Sequence, residues 1–167
     1  MTLPSLTVIE QRATALGLVL RLQVRRPLGL AWTLRVGVAR RGPQGLVLLG
    51  ELKGWALPAA DGLRLDTMRV QGEDCSAVGP LIWAAAMAWA LEATPCRRAW
   101  LLAIRDGEAQ HRRLVRYFRQ LGFAPRRALA AGAADLPARL LWGGAGQLME
   151  GDCQLVLQRS ARRLGLG

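Results

Sequence analysis

The sequence is poor in the residues that build metal sites and disulfides. It contains three cysteines, at positions 75, 96 and 153, and a single histidine, His111. Three is an odd number, and the spacings between these cysteines match no metal-ligand motif. We therefore expect no metal site, and we interpret the cysteines as buried or incidental reduced thiols.

The sequence also lacks a targeting signal and a long apolar run. Its first five residues, Met-Thr-Leu-Pro-Ser, contain neither the basic segment nor the apolar stretch of a signal peptide. The longest uncharged apolar run extends from Ala77 to Leu91, which is too short to cross a bilayer comfortably. A cytoplasmic protein without a transmembrane segment is the default expectation.

Negative charge is scarce as well. Against 23 basic residues there are 12 acidic ones, which gives a formal charge of +11, and Lys53 is the only lysine. Such a field favours anionic partners such as nucleic acid, a phosphorylated cofactor or an acidic protein. The arginines are scattered in pairs along the chain rather than gathered in a block, which favours a solvated basic surface over a polybasic tail. The positive charge is the only feature of the sequence that supports the hypothesis of nucleic-acid binding.

The overall composition of the sequence is that of a folded domain. The chain has 167 residues, of which 51% are hydrophobic and 21% charged, so it can bury a core of its own. We expect one domain over residues 1–160 and a flexible tail over residues 161–167. The first element is predicted as a helix from Ser5 to Leu16, with Ser5 as N-cap and Gly17 as its stop, although the β-branched run 7–9 leaves a strand open.

The next part of the chain begins with two stretches, Leu18–Arg25 and Trp32–Arg40, that alternate apolar and polar residues, as half-buried strands do. Two further predicted strands follow, and the short turns between the four predict an antiparallel meander. The four predicted strands are Leu18–Arg25, Trp32–Arg40, Leu46–Leu57 and Leu63–Val70. Gly50 and Gly54 lie inside the third, and indicate a bulge or a close backbone approach.

The second half of the chain changes from alternation to a crossover pattern. A loop follows Val70, a helix is predicted from Pro80 to about Ala93, and a buried strand follows at Ala99–Ile104. This order predicts that Ala99–Ile104 pairs in parallel with the strand ending at Val70. An amphipathic helix at Glu108–Leu121 comes next. The expected fold is therefore mixed α/β (α+β), with a meander, a β-α-β crossover, a second helix and C-terminal strands.

The C-terminal part is predicted to add three strands. One covers Phe123–Leu129, and the segments Ala138–Trp142 and Cys153–Arg159 are predicted to form a final hairpin.

The predicted helix after Pro80 has no polar face. Between Leu81 and Leu91 it contains no charged residue, and it includes Trp83 and Trp89. Such a helix is either buried on both sides or forms an interface. The cover could be the N-terminal segment Leu6–Leu16, a second copy of the chain or another partner, for which an acidic protein fits the basic surface. We expect Trp83 or Trp89 to be exposed in the isolated chain and covered in its working assembly.

The order of elements, together with the segment Tyr117–Phe123, resembles the GNAT superfamily of N-acetyltransferases. In that family the helix after the crossover ends in a similar Tyr-x-x-x-Gly-Phe motif. The resemblance covers residues 18–159 as an order of elements. It implies a GNAT-like fold and the transfer of an acetyl group from acetyl-CoA to an amine. It also implies a pyrophosphate-binding loop before the crossover helix.

The resemblance assigns roles to particular residues. Asp66 lies on the strand that often carries the general base of the family; the alternative is a surface carboxylate paired with an arginine. The resemblance places the cofactor against the end of that strand and the start of the helix, and an arginine of the second helix is a candidate phosphate contact. The implied cofactor-binding residues are Val70, Ala77, Val78, Gly79 and Arg112.

The sequence departs from the family pattern at three points. Asp74 stands where the loop motif has Arg or Gln, and Ala77 stands where it has Gly. Phe118 occupies the position of the usual proton donor, with Tyr117 one residue earlier, so Tyr117 is the candidate acid. Only six residues separate the first two strands, where family members usually insert helices that shape the acceptor site.

These departures lead to two predictions. We expect acetyl-CoA to bind weakly or not at all, and the double substitution Asp74→Arg with Ala77→Gly to improve binding. A non-catalytic GNAT-fold protein that binds a macromolecule through its apolar helix and Arg-rich surface is the alternative function. His111 is interpreted as a solvated residue in the first turn of its helix.

Overall fold

The computed structural model describes residues 2–70, 76–130, 132–142 and 144–167. These residues form five α-helices and seven strands. The helices are α1 (Leu6–Ala15), α2 (Val78–Ala93), α3 (Glu108–Leu121), α4 (Leu136–Trp142) and α5 (Cys153–Arg163). The strands are β1 (Leu18–Arg25), β2 (Trp32–Gly42), β3 (Gly45–Ala56), β4 (Leu63–Val70), β5 (Arg98–Ile104), β6 (Phe123–Leu129) and β7 (Gly146–Asp152).

The N-terminal half is an antiparallel meander, as predicted from its alternation. Strands β1 to β4 pair in sequence order, each antiparallel to the next. The alternate residues Leu34, Val36 and Val38 of β2 are buried, while Arg35 between them is exposed. The first element is a helix, as predicted, and not the strand that the β-branched run left open. The Ser5 hydroxyl accepts a hydrogen bond from the amide of Val8 at the start of α1.

The parallel crossover is also confirmed. All seven strands form one sheet in the order β1-β2-β3-β4-β5-β7-β6. Strand β4 pairs in parallel with β5, with Leu63 opposite Ala99, and α2 connects the two strands. Strand β7 lies between β5 and β6 and is antiparallel to both. The fold is therefore mixed α/β with a mixed sheet.

Helix α2 is buried on both sides by the chain itself. One side packs on β2, β3 and β4, and the other is covered by α1 and α5. Trp83 is 1% exposed and Trp89 is 6% exposed, so the expectation of an exposed indole is wrong. The reason is that two further helices cover the face that the sheet leaves open. No helix in the described ranges is long and apolar enough to cross a membrane.

The predicted C-terminal hairpin is wrong. Residues 138–142 belong to α4 and residues 153–159 to α5, and the strand β7 lies between the two helices. Helix α5 buries Val156, Leu157, Ser160 and Ala161, a helical spacing that packs against α2. Asp152 caps this helix, because its carboxylate accepts a hydrogen bond from the amide of Leu155.

The chain continues in ordered structure past the expected domain boundary at residue 160. Helix α5 ends at Arg163, and Leu164 after it is 2% exposed. Leu166 packs against the core as a partly buried residue. Leu164 and Leu166 therefore pack on the core beyond residue 160.

Candidate functional site

A cleft opens where β4 and β5 separate. The two strands pair with each other only from Leu63 to Leu65 on β4 and from Ala99 to Leu101 on β5. Beyond that point no residue of β4 is paired with a residue of β5. The space between them, which we call the β4–β5 cleft, has a volume of about 330 Å³. Its lining is mostly apolar and includes Leu52, Leu65, Met68, Val70, Trp83, Leu101, Leu102, Ile104, Leu114 and Phe118. The polar lining consists of Asp66, Thr67 and Tyr117.

A β-bulge in β4 coincides with the opening of the cleft. Gly54 of β3 lies opposite Leu65 and Lys53 lies opposite Thr67, so Asp66 is an extra residue without a partner on β3. Since the pairing with β5 stops at Leu65, Asp66 has no partner on that side either. Bulges bend a strand and re-aim its side chains, and Asp66 is one of the residues that line the cleft.

Gly54 allows the close approach that the bulge requires. A Cβ atom at this position would lie 2.6 Å from the carbonyl oxygen of Arg64 on β4, closer than a side chain tolerates. The prediction of a bulge or close approach at this glycine is therefore confirmed. Gly50 has an equivalent role nearer α2, because its Cβ would lie 2.7 Å from Val78.

Tyr117 brings a hydroxyl group into the cleft. Its oxygen accepts a hydrogen bond of 2.9 Å from the indole nitrogen of Trp83, which leaves the hydroxyl proton free to be donated elsewhere. Burial raises the pKa of Tyr117 above its ordinary value, and the hydrogen bond from Trp83 opposes this shift more weakly. Tyr117 therefore keeps its proton at neutral pH.

A second cavity adjoins the cleft at the N-terminus of α2. This α2 cavity has a volume of about 340 Å³ and is lined by Val70, Ser76, Gly79, Pro80, Tyr117 and Arg163. It shares Val70 and Tyr117 with the β4–β5 cleft, so the two spaces adjoin. Ala77 is the N-cap of α2 and provides no side-chain hydrogen bond to the helix. The amides of Val78 and Gly79 thus lie at a helix N-terminus whose N-cap residue has no side-chain acceptor.

A third cavity lies on the face of the sheet opposite α2. This open-face cavity has a volume of about 320 Å³ and is lined by Arg35, Leu48, Gly50, Glu51, Lys53, Thr67 and Arg69. Thr67 lines both this cavity and the β4–β5 cleft. The cleft therefore adjoins both the α2 cavity and the open-face cavity.

The structure brings most of the predicted site residues together. Asp66, Tyr117 and Val70 line the cleft, and Gly79 lines the α2 cavity, with Ala77 and Val78 beside it at the start of α2. In the described part of the chain Asp66 forms no ion pair, so the arginine partner of the alternative interpretation is not found there.

Two of the predicted positions lie elsewhere. Arg112 is exposed on α3 and lines neither the cleft nor the α2 cavity. His111 is 6% exposed, so its interpretation as a solvated residue is wrong. Its Nδ1 atom lies 3.2 Å from the carbonyl oxygen of Ile104 at the end of β5, which ties α3 to the sheet. The loop position Asp74 lies outside the described residues.

Sequence reasoning missed several residues of the site. Thr67 and Arg69 were read only as part of a strand, and Arg163 was placed in a tail. The helical spacing of Val156, Leu157, Ser160 and Ala161 was a signal that could have placed Arg163 on a packed helix. The hydrogen bond from Trp83 to Tyr117 joins residues 34 positions apart, and no local pattern indicates it.

Comparison with known proteins does not assign a family. The chain matches no protein-family model, and no curated protein is significantly similar to it in sequence. The resemblance to GNAT acetyltransferases therefore rests on the motif Tyr117–Phe123 and on the order of elements.

Proposed function

We propose that this chain is an N-acyltransferase of the GNAT type, which moves an acetyl group from acetyl-CoA to an amine. The observation that carries the proposal is the separation of the parallel strands β4 and β5 at the bulge residue Asp66. This separation forms an apolar cleft that contains one carboxylate and one protonated phenol. A function as a partner-binding protein has less support, because the indoles of α2 are already covered.

The cavities fit an extended thioester ligand. The β4–β5 cleft and the α2 cavity have volumes of about 330 and 340 Å³, within the range of small-molecule sites. The apolar cleft suits an uncharged chain, and the α2 cavity suits phosphate groups. Helix N-termini bind anions, and Arg163 adds a positive charge there. Acetyl-CoA supplies an activated acyl group when bound.

The residues of the cleft supply the two proton transfers that amide formation needs. The amine must lose a proton as its nitrogen attacks the thioester carbon, and the carboxylate of Asp66, which lines the cleft, is the base that we assign to this step. The departing sulfur must gain a proton, and the Tyr117 hydroxyl holds one. Asp66 has no partner in the register of β4 with β3 or with β5, and its backbone amide is the donor that we assign to the oxygen that gains negative charge.

Thioester turnover tests the proposal. The protein is incubated with acetyl-CoA and a panel of primary amines, and the release of free thiol and the acetylated amine are both measured. We expect amine-dependent turnover, and about a 100-fold loss of kcat/KM in Asp66→Asn, the size of effect typical for a general base.

Asp61→Asn is the matched control, because Asp61 is an exposed carboxylate in the turn before β4. We expect turnover by this variant to equal that of the wild type. The proposal fails if no amine in the panel is acetylated, or if Asp66→Asn reacts as fast as Asp61→Asn.

A further inference from the structure

The open-face cavity contains a cluster of charged side chains from three neighbouring strands. Arg35 lies opposite Lys53, and Lys53 lies opposite Thr67. In the adjacent row Glu51 lies between Gly37 and Arg69. The side chains of β2, β3 and β4 therefore meet on one face of the sheet. Gly37 adds no side chain, and the Leu48 side chain lies 3.7 Å from where its Cβ would be.

The positive charges of this cluster exceed the negative charge. Glu51 accepts a hydrogen bond from Arg35 at 3.0 Å and lies 3.3 Å from the Lys53 ammonium group. The hydrogen bond from Arg35 is the main cause that lowers the pKa of Glu51, so this carboxylate stays ionised at neutral pH. The Glu51 carboxylate thus forms ion pairs with two cations, Arg35 and Lys53.

Arg69 is the cation that the cluster leaves unbalanced. It lines the open-face cavity and forms no ion pair with any of the described residues. With Arg35 and Lys53 already sharing Glu51, the cavity has three basic side chains and one acidic side chain. An anionic group of a ligand would complete this arrangement, since guanidinium groups form strong paired hydrogen bonds with carboxylate and phosphate.

The open-face cavity is joined to the cleft by the strand β4. Thr67 lines both spaces, Asp66 precedes it in the cleft, and Arg69 follows it two residues later. At about 3.4 Å per residue, Arg69 lies roughly 7 Å along the strand from Thr67. A small molecule can thus reach the cleft with one end and Arg69 with the other.

We propose that the open-face cavity binds the acceptor, and that the acceptor is a small amine that carries a carboxylate or phosphate group. The amine lies by Asp66 in the cleft, and the anionic group lies against Arg69 and Lys53. This inference rests on the proposed acyltransferase function for its assignment as an acceptor site. The anion subsite itself rests only on the charges of the cavity.

The first experiment compares matched pairs of acceptors in the acetyl-CoA assay. The pairs are γ-aminobutyrate with its neutral amide, and O-phosphoethanolamine with ethanolamine, which separate carboxylate from phosphate recognition. We expect the anionic member of at least one pair to have a kcat/KM about 10- to 100-fold higher, the size of effect that a charge-assisted hydrogen bond provides. Arg69→Gln should remove this preference.

Arg40→Gln is the matched control for Arg69→Gln. Arg40 is an exposed arginine on β2 that lies outside the open-face cavity. This variant should keep the preference for anionic acceptors unchanged. Equal turnover of both members of each pair would overturn the inference, while the acyltransferase proposal would stand.

A second experiment needs no turnover. Inorganic phosphate is titrated into the protein, and the Nε–H signals of its arginines are followed by NMR. We expect a saturable shift of the Arg69 signal, and binding at least tenfold weaker in Arg69→Gln but unchanged in Arg40→Gln. Such binding in a protein that acetylates no amine would support the anion subsite and refute only the acyltransferase proposal. Phosphate binding that is absent, or equal in all three proteins, would overturn the inference.

Discussion

Tyr117→Phe separates the chemical role of the Tyr117 hydroxyl from its structural role. The hydroxyl accepts a hydrogen bond of 2.9 Å from the Trp83 indole, and Trp83 is 1% exposed. Phenylalanine keeps the ring and its contact with Phe118, whose centroid lies 5.5 Å away. The substitution therefore removes one oxygen and one proton from the cleft and little else.

The expected effects on stability and on rate differ in size. Leaving the buried indole N–H without an acceptor should cost about 1–3 kcal/mol of unfolding free energy. Removing a general acid should lower kcat by about 100- to 10,000-fold, which corresponds to about 3–5 kcal/mol in the activation barrier. Burial raises the pKa of Tyr117 above 10.0. The protonated form of Tyr117 is the active one. The wild-type rate should therefore be retained up to pH 10.0 and fall only above the raised pKa.

Trp83→Phe is the complementary variant. It removes the indole N–H and some bulk, and should lower the unfolding free energy by roughly 1–3 kcal/mol, but it keeps the Tyr117 proton. We expect its kcat to stay within about tenfold of the wild type. The assays are urea unfolding for stability and thiol release from acetyl-CoA for rate.

If Tyr117→Phe is folded and its kcat lies within threefold of the wild type, the assignment of Tyr117 as proton donor is refuted.

Two further predictions concern the C-terminal helix. Burial raises the pKa of Cys153 from 9.0 to about 12, so the folded state binds this proton more tightly than the unfolded state, and stability should fall between about pH 9 and pH 12. Urea unfolding at pH 8 and 10.5 should show a smaller loss for Cys153→Ala than for the wild type; equal losses would contradict this. Leu164→Ala should cost about 2–4 kcal/mol because Leu164 is buried, whereas Leu140→Ala, at a side chain 76% exposed, should change little; equal effects would mean that residue 164 does not pack on the core.

The local patterns of the sequence predicted the first half of the fold well. Alternation in β2 reflects one buried face, a property that neighbouring residues carry themselves. The parallel pairing of β4 with β5 followed from the order of strand, helix and strand. These inferences need only short segments and the rules that connect them.

The cover of α2 could not be predicted in the same way. Its apolar surface is compatible with a partner or with further helices of the same chain. The decision depends on α5, which is 60 residues distant in sequence, and α5 itself was predicted as a strand. Once Val156, Leu157, Ser160 and Ala161 lie on a helix, they bury the face of α2 that was expected to be free.

Part of the candidate site was named from the sequence, but its shape was not predicted. Asp66 and Tyr117 were identified from a family resemblance, and both line the cleft. The bulge at Asp66 depends on the register between β3 and β4, for which Gly54 was the sole local sign. The open-face cavity depends on register across three strands, which brings Arg69 beside Glu51. A single sequence contains no pattern that states this register.

The central claim, that a thioester binds between β4 and β5, is tested most directly by calorimetric titration with acetyl-CoA. We expect weak but saturable one-to-one binding, with a Kd of about 0.1 to 1 mM. Ile104→Trp should weaken it at least tenfold, because Ile104 lines the cleft and is 46% exposed. Val24→Trp, at a 39% exposed position of β1, should leave the affinity unchanged. Absence of saturable binding by the wild type, or equal affinities for all three proteins, would contradict the claim.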